Sequence, residues 1–154
     1  MLDAKEFDSE KESRRRKRLI LGISVVVIVL LLGWWFRYWP EEHVVGKFFD
    51  ALQKQDLKTA YAIWQHDPEW QQHPGNYTYS FTEFYRDWGP SGHWGIIKTA
   101  KVYGAHTCPP LGAGTSGSGI VVDVVVNDRT EHAQVWVEKS NHTLSFPPCE
   151  LIFQ

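Results

Sequence analysis

The chain has 154 residues, room for one ordinary domain, and 43 % of them are apolar, enough for a core. The formal charge of −2 is unevenly spread: eight Lys/Arg against five Asp/Glu give residues 1–40 a charge of +3, and eight against thirteen give residues 41–154 a charge of −5. Phosphate contacts need clustered Lys and Arg, no such cluster follows Pro40, and nucleic acid is excluded as a partner.

The N-terminal "MLDAKEFDSEKES" is short, charged and poor in apolar residues, so it is expected to be disordered or a frayed helical extension. "RRRKR" follows, comprising Arg14, Arg15, Arg16, Lys17 and Arg18. The next stretch, "LILGISVVVIVLLLGWWF" over residues 19–36, carries no charge. As a helix it is about 27 Å long, close to a hydrocarbon core of about 30 Å. A helix also satisfies its own backbone hydrogen bonds, which lipid cannot do. Trp34, Trp35, Phe36, Tyr38 and Trp39 form an aromatic belt on the far side.

Five basic residues before the span, against Arg37 after it, place the N-terminus in the cytoplasm. These residues set the topology, and the lipid bilayer is the first expected partner. A cleaved signal peptide would have a shorter apolar region followed by small residues, whereas bulky aromatics follow here; the reading is an uncleaved signal-anchor. No cysteine near the span offers a lipoprotein site, and Leu2 excludes myristoylation. The expected organisation is a cytoplasmic basic tail (1–18), a transmembrane helix (19–39) and an extracytoplasmic domain (41–154).

Glu41 and Glu42 are expected to open a helix whose apolar face is Val44, Val45, Phe48, Phe49 and Leu52. Asp56 can cap a second helix, with Leu57, Ala60, Tyr61 and Trp64 on one side. "HDPEWQQHPGNY" reads as a loop. "SFTEFYRDWG" reads as a third helix, with Ser80 and Glu83 as a capping box and Gly89 as its stop. The period then changes to two. Residues 93–107 read as one long strand, "CPPLGAGTSGSG" as a flexible connection, and "IVVDVVV" as a second strand. "EHAQVWVEK" is a third strand between the turns "NDRT" and "SN". "HTLSF" starts a fourth, interrupted by Pro147 and Pro148 and hence bent or at an edge, before "CELIF" ends the chain. The predicted fold is α+β: three helices packed on a mostly antiparallel, four-stranded sheet.

The stretch "VVGKFFDALQKQDLKTAYAIW", the third aromatic helix and the strands after it resemble the nuclear transport factor two-like superfamily, also called cystatin-like. The resemblance covers roughly residues 41–152 and rests on spacing. It implies a strongly curved sheet closed by helices into a cone with a pocket. Members often end in a Trp-Lys-Ile-like strand, where this chain has "HTLSF". Some members are isomerases, dehydratases or accessory subunits, and many bacterial ones are membrane-anchored, so the fold alone does not choose a function. The resemblance also implies a bacterial source and the inner (plasma) membrane, with a periplasmic domain. The glycosylation patterns at Asn76 and Asn141 would then carry no sugar.

Asp123 interrupts a run of valines, with Val121 and Val125 on its face of the strand. Pointing into a cone, it could act as a general base, as an aspartate does in the ketosteroid isomerase relatives. Pointing outward, it is an ordinary solvated acid, the favoured reading because buried unpaired carboxylates are costly. His132 shares a face of the third strand with Gln134, Trp136 and Glu138 and could pair with Asp123 across the hairpin. The other histidines show no metal-ligand spacing, and neither metal nor cofactor is expected. Trp70, Tyr77, Tyr79, Trp94 and Trp136 are candidates for ligand binding, since aromatics with polar tips suit sugars or peptides. The alternative for the aromatics is core packing, preferred for Phe84 and Trp88.

Cys108 and Cys149 stand in the mirrored contexts "CPP" and "PPC". An oxidising compartment permits a disulfide between them, closing a loop of about 42 residues and adding roughly 4 kcal/mol on the chain-entropy model. The alternatives are a bridge between two chains, making a homodimer, and two unpaired thiols. The favoured function is a non-enzymatic module that binds a ligand, a partner protein or an envelope component at the membrane surface. The alternatives are an accessory subunit of a membrane complex, with contacts through the span, and a small-substrate isomerase or dehydratase-like enzyme using Asp123.

Overall fold

Over residues 19–35 of the first helix, α1 (Ser9–Trp35), apolar side chains cover every side, so this stretch has no polar stripe to turn towards water. In the computed structural model, which describes residues 9–108 and 117–148, the chain divides into two units, Met1–Arg37 and Tyr38–Gln154. The first unit contains α1. Its apolar stretch is long and hydrophobic enough to cross a membrane, and none of it is buried against protein. Leu19, Leu30 and Trp35 are 65, 66 and 78 % exposed. Such a helix is compatible with a membrane anchor. The expectations for residues 1–8, for the connection over 109–116, for Cys149 and for the terminal "CELIF" lie outside the described residues.

The second unit opens with α2 (Trp39–Gln53). This helix starts two residues before the expected Glu41, because Pro40 fits the first turn, where its missing N–H is not needed. Val45, Phe48, Phe49 and Leu52 are buried and Val44 is half-buried, as the apolar face requires. Asp56 caps α3 (Leu57–Gln65): the Thr59 N–H donates to Asp56 Oδ1 at 3.0 Å, and this contact holds the carboxyl below its usual range. The loop after α3 contains a single 3-10 turn, Trp70–Gln72. The expected capping box starts α4 (Phe81–Trp88), with the Glu83 N–H donating to Ser80 Oγ at 3.3 Å and the Ser80 N–H donating to Glu83 Oε2 at 2.8 Å. Gly89 ends α4 with extended backbone rather than a left-handed cap. A Cβ there would sit 2.2 Å from the Tyr85 carbonyl oxygen, so the position excludes any side chain for lack of space.

Four antiparallel strands follow: β1 (Ala100–His106), β2 (Gly119–Val126), β3 (His132–Glu138) and β4 (Leu144–Ser145), in the order 1-2-3-4. The fold is therefore α+β with an open antiparallel sheet. The expected strand over 93–107 is corrected: its first seven residues are not strand. Gly95 takes a left-handed φ of +64°, and the Asn127 side chain holds this segment in place of a ladder. Asn127 Oδ1 accepts from the N–H groups of Lys98 (2.8 Å) and Thr99 (3.3 Å), and its Nδ2 donates to the carbonyl of Ile96 (3.0 Å). Asn127 and Asp128, both left-handed, make the β2–β3 turn. β4 is an edge strand of only two residues, ending before Pro147 and Pro148.

Strand alternation divides the sheet into two faces. Ile120, Val122, Val124, Val126, Ala133, Val135 and Val137 join the main core with the helices. At its centre Phe48 lies 5.1–6.1 Å, ring to ring, from Phe49, Trp64, Phe84 and Trp88. None of these five rings is more than 4 % exposed. Val121 and Trp136 belong to the opposite face, in a separate small cluster.

Candidate functional site

The outer face of the sheet, opposite the helices, brings together a connected set of polar side chains. Asp123 and Gln134 face each other across β2 and β3, and the Gln134 Nε2 donates to Asp123 Oδ1 at 2.9 Å. His106 Nδ1 lies 3.0 Å from Asp123 Oδ2. That contact depends on an irregularity in the β1–β2 pairing between Val102 and Gly104. Strict alternation from Lys101 would put Tyr103 and Ala105 on the outer face. The extra residue instead places Gly104 opposite Asp123 and His106 opposite Val121. With no side chain at Gly104, the imidazole reaches diagonally to the carboxylate. The Tyr103 side chain at the bulge is 73 % exposed, and its ring lies 4.7 Å from that of His132.

Asp123 thus lies neither in a dry cone nor free in solvent. It is on the face away from the main core, as expected, but its side chain is only 15 % exposed and both oxygens have partners. His132, the expected partner, sits opposite Val125 and beside Tyr103; His106 takes the place beside Asp123. The sequence reading named Gln134 as a neighbour of His132 on one face. It missed His106 and Tyr103, because a bulge was needed to bring them in.

Two further clusters lie on the helical side. Asp67 Oδ2 receives the Tyr77 hydroxyl and lies 2.9 Å from His73 Nδ1. Tyr77 above all, then His73, holds the Asp67 carboxyl below its usual range, while the same contact pushes the Tyr77 phenol up to about 12. The Tyr79 hydroxyl donates to Asp87 Oδ2 at 3.0 Å, and burial, followed by that carboxylate, pushes the phenol up. Trp70 stacks on Phe81 at 4.9 Å and meets Tyr61 edge-on at 4.8 Å. Glu42, near the start of α2, is pushed up by burial and by the charge of Glu41.

Of the expected aromatic binding residues, Trp70, Tyr77 and Tyr79 gather around Tyr61, whereas Trp94 and Trp136 lie elsewhere. Trp70 and Tyr79 pack against the main core, Tyr77 is half-buried in the loop, and Trp94 is buried beneath Arg129, whose guanidinium is 5.6 Å from the ring. Trp136 is 4 % exposed on the outer face, and a Cβ on Gly119 would lie 2.3 Å from its ring. Cys108, just after β1, packs against Val121 and Trp136, so it leans across β2 and β3. The expected bridge to Cys149 lies outside the described residues. An open groove of about 280 Å³ between α2 and α3 is lined by Lys47, Asp50, Lys54 and Asp56 among others, none of them a predicted site residue. Among the described residues, no group of three His, Cys, Asp or Glu is placed to hold a metal ion. No protein-family model, curated protein or solved structure matches the chain.

Proposed function

We propose that the chain is a single-pass inner-membrane protein whose second unit is a non-enzymatic binding module on the outer side of the bilayer. Residues 19–39 anchor it, Arg14–Arg18 keep the N-terminus in the cytoplasm, and the α+β unit is a cone-like, nuclear transport factor two-like domain. It meets a partner protein or envelope component at the membrane surface.

The observation that carries the binding reading is the ring cluster around Phe48. Among the described residues these rings form one buried core with the inner face of the sheet, which favours packing over a substrate pocket on that side. Recognition then belongs to the surface. An Asp123 with a partner on each oxygen is also poorly placed to take a substrate proton, which counts against the isomerase or dehydratase alternative.

Photo-crosslinking in intact bacterial cells tests the reading. A photoreactive phenylalanine is placed in turn at Trp70, Tyr77, Tyr103 and, as a control, the exposed Lys58 of the full-length protein. Discrete higher-mass adducts are expected from one face of the module and not from Lys58. Absence of adducts at every position would contradict a binding role. Repeating the scan with an unrelated anchor tests the accessory-subunit alternative, in which the adducts would depend on the native span.

A further inference from the structure

We propose that the outer face of the sheet binds a neutral glycan chain, with Tyr103 as the stacking platform and His106 and Gln134 as hydrogen-bonding groups held in position by Asp123. The inference rests on the binding-module reading and names its ligand class.

A pyranose ring has an apolar C–H face and a rim of hydroxyl groups. Its recognition needs an open aromatic ring beside planar polar groups whose directions are already set. Tyr103 supplies the ring. The bulge projects it to 73 % exposure, and the His132 ring, tilted by 50° at 4.7 Å, supports one side. Beside it, Asp123 fixes two neighbours. One oxygen takes a Gln134 N–H, which directs the amide oxygen of Gln134 away as a free-standing acceptor direction. The other faces His106 Nδ1, which sets that nitrogen as the proton carrier and leaves Nε2 as the outward atom. The imidazole side chain is 41 % exposed while Asp123 is 15 % exposed, so the carboxylate orients and its neighbours present themselves.

The charge of the face selects the ligand. The strand positions around Asp123 add a single lysine, Lys101, and no arginine. A phosphate or polyanion would require clustered cations, which the face lacks. The outward groups are an amide oxygen, an imidazole nitrogen and a phenol, which can exchange hydrogen bonds with the hydroxyls of an uncharged sugar. Side chains fixed by one another lose little freedom on binding, which favours measurable affinity on a shallow surface.

The test uses the full chain in lipid nanodiscs, titrated calorimetrically with neutral tetrasaccharides: the N-acetylglucosamine tetramer, cellotetraose and maltotetraose. Binding of at least one is expected, with a dissociation constant on the order of 1 mM or tighter. Tyr103→Ala is expected to weaken it about tenfold, and His106→Ala about fivefold. The Lys58→Ala control should bind as the parent does. Asp123→Asn should weaken binding about threefold while melting near the parent temperature, the signature of lost orientation rather than lost fold. No binding of any tetrasaccharide at about 10 mM, or parental binding by Tyr103→Ala and His106→Ala together, overturns the proposal. Crosslinked adducts without sugar binding would leave the binding-module reading standing and remove the glycan from it.

Discussion

Replacing Phe48 with alanine is expected to destabilise the second unit by about 3–5 kcal/mol, a large part of the roughly 5–15 kcal/mol that holds a domain together. Phe48 is fully buried and touches four other rings, contributed by α2, α3 and α4. Truncation therefore removes the side chain that links all three helices at one point. The cavity would be walled by Trp64, Phe84 and Trp88, large rigid rings that cannot collapse into it. Thermal melts of the detergent-solubilised chain, followed by near-ultraviolet circular dichroism, should show the midpoint falling by more than about 10 °C. α1 should keep its helical far-ultraviolet signal. A midpoint within about 3 °C of the parent would mean that the ring cluster is not the core.

The second large effect is expected at Asn127. Its side chain is the main polar link between the segment before β1 and the β2–β3 turn, with two N–H groups on its oxygen and the Ile96 carbonyl on its nitrogen. A weaker contact reaches the Trp94 carbonyl at 3.4 Å. Its backbone is left-handed at φ 51°, a conformation that asparagine tolerates better than most residues. Asn127→Ala removes the side-chain bonds and strains the turn, at a cost of about 2–3 kcal/mol. Hydrogen exchange should show the Lys98 and Thr99 amides losing protection, with the amides in the middle of β2 retaining theirs. Unchanged protection at Lys98 and Thr99 would contradict the role assigned to this side chain.

The parts of the fold that were legible in the sequence are those set by close neighbours. Asp56 meets Thr59 and Ser80 meets Glu83 within one helical turn, so the starts of α3 and α4 could be read directly. The valine alternation likewise separated the two faces of β2. The segment over 93–99 misled because its apolar residues suit a strand, while an asparagine about thirty positions away holds them otherwise. The candidate site was half legible for a similar reason. Asp123 and Gln134 follow from simple hairpin register, but one extra residue at Tyr103 and Gly104 moves His106 to the same face. The preference for packing at Phe84 and Trp88 matches their burial, and Trp70 and Tyr79, also proposed for binding, pack against the same core.

The central proposal is that the apolar helix, which has no protein cover among the described residues, anchors the chain with its α+β unit on the outer side of a membrane. The most direct measurement is a pair of reporter fusions after Gln154 in a bacterial host: alkaline phosphatase, active only outside the cytoplasm, and a fluorescent protein that matures only inside it. The account predicts high phosphatase activity, a dark fluorescent fusion, and both proteins in the membrane fraction after alkaline washing. A bright fluorescent fusion with inactive phosphatase, or recovery of the chain in the soluble fraction, would contradict it.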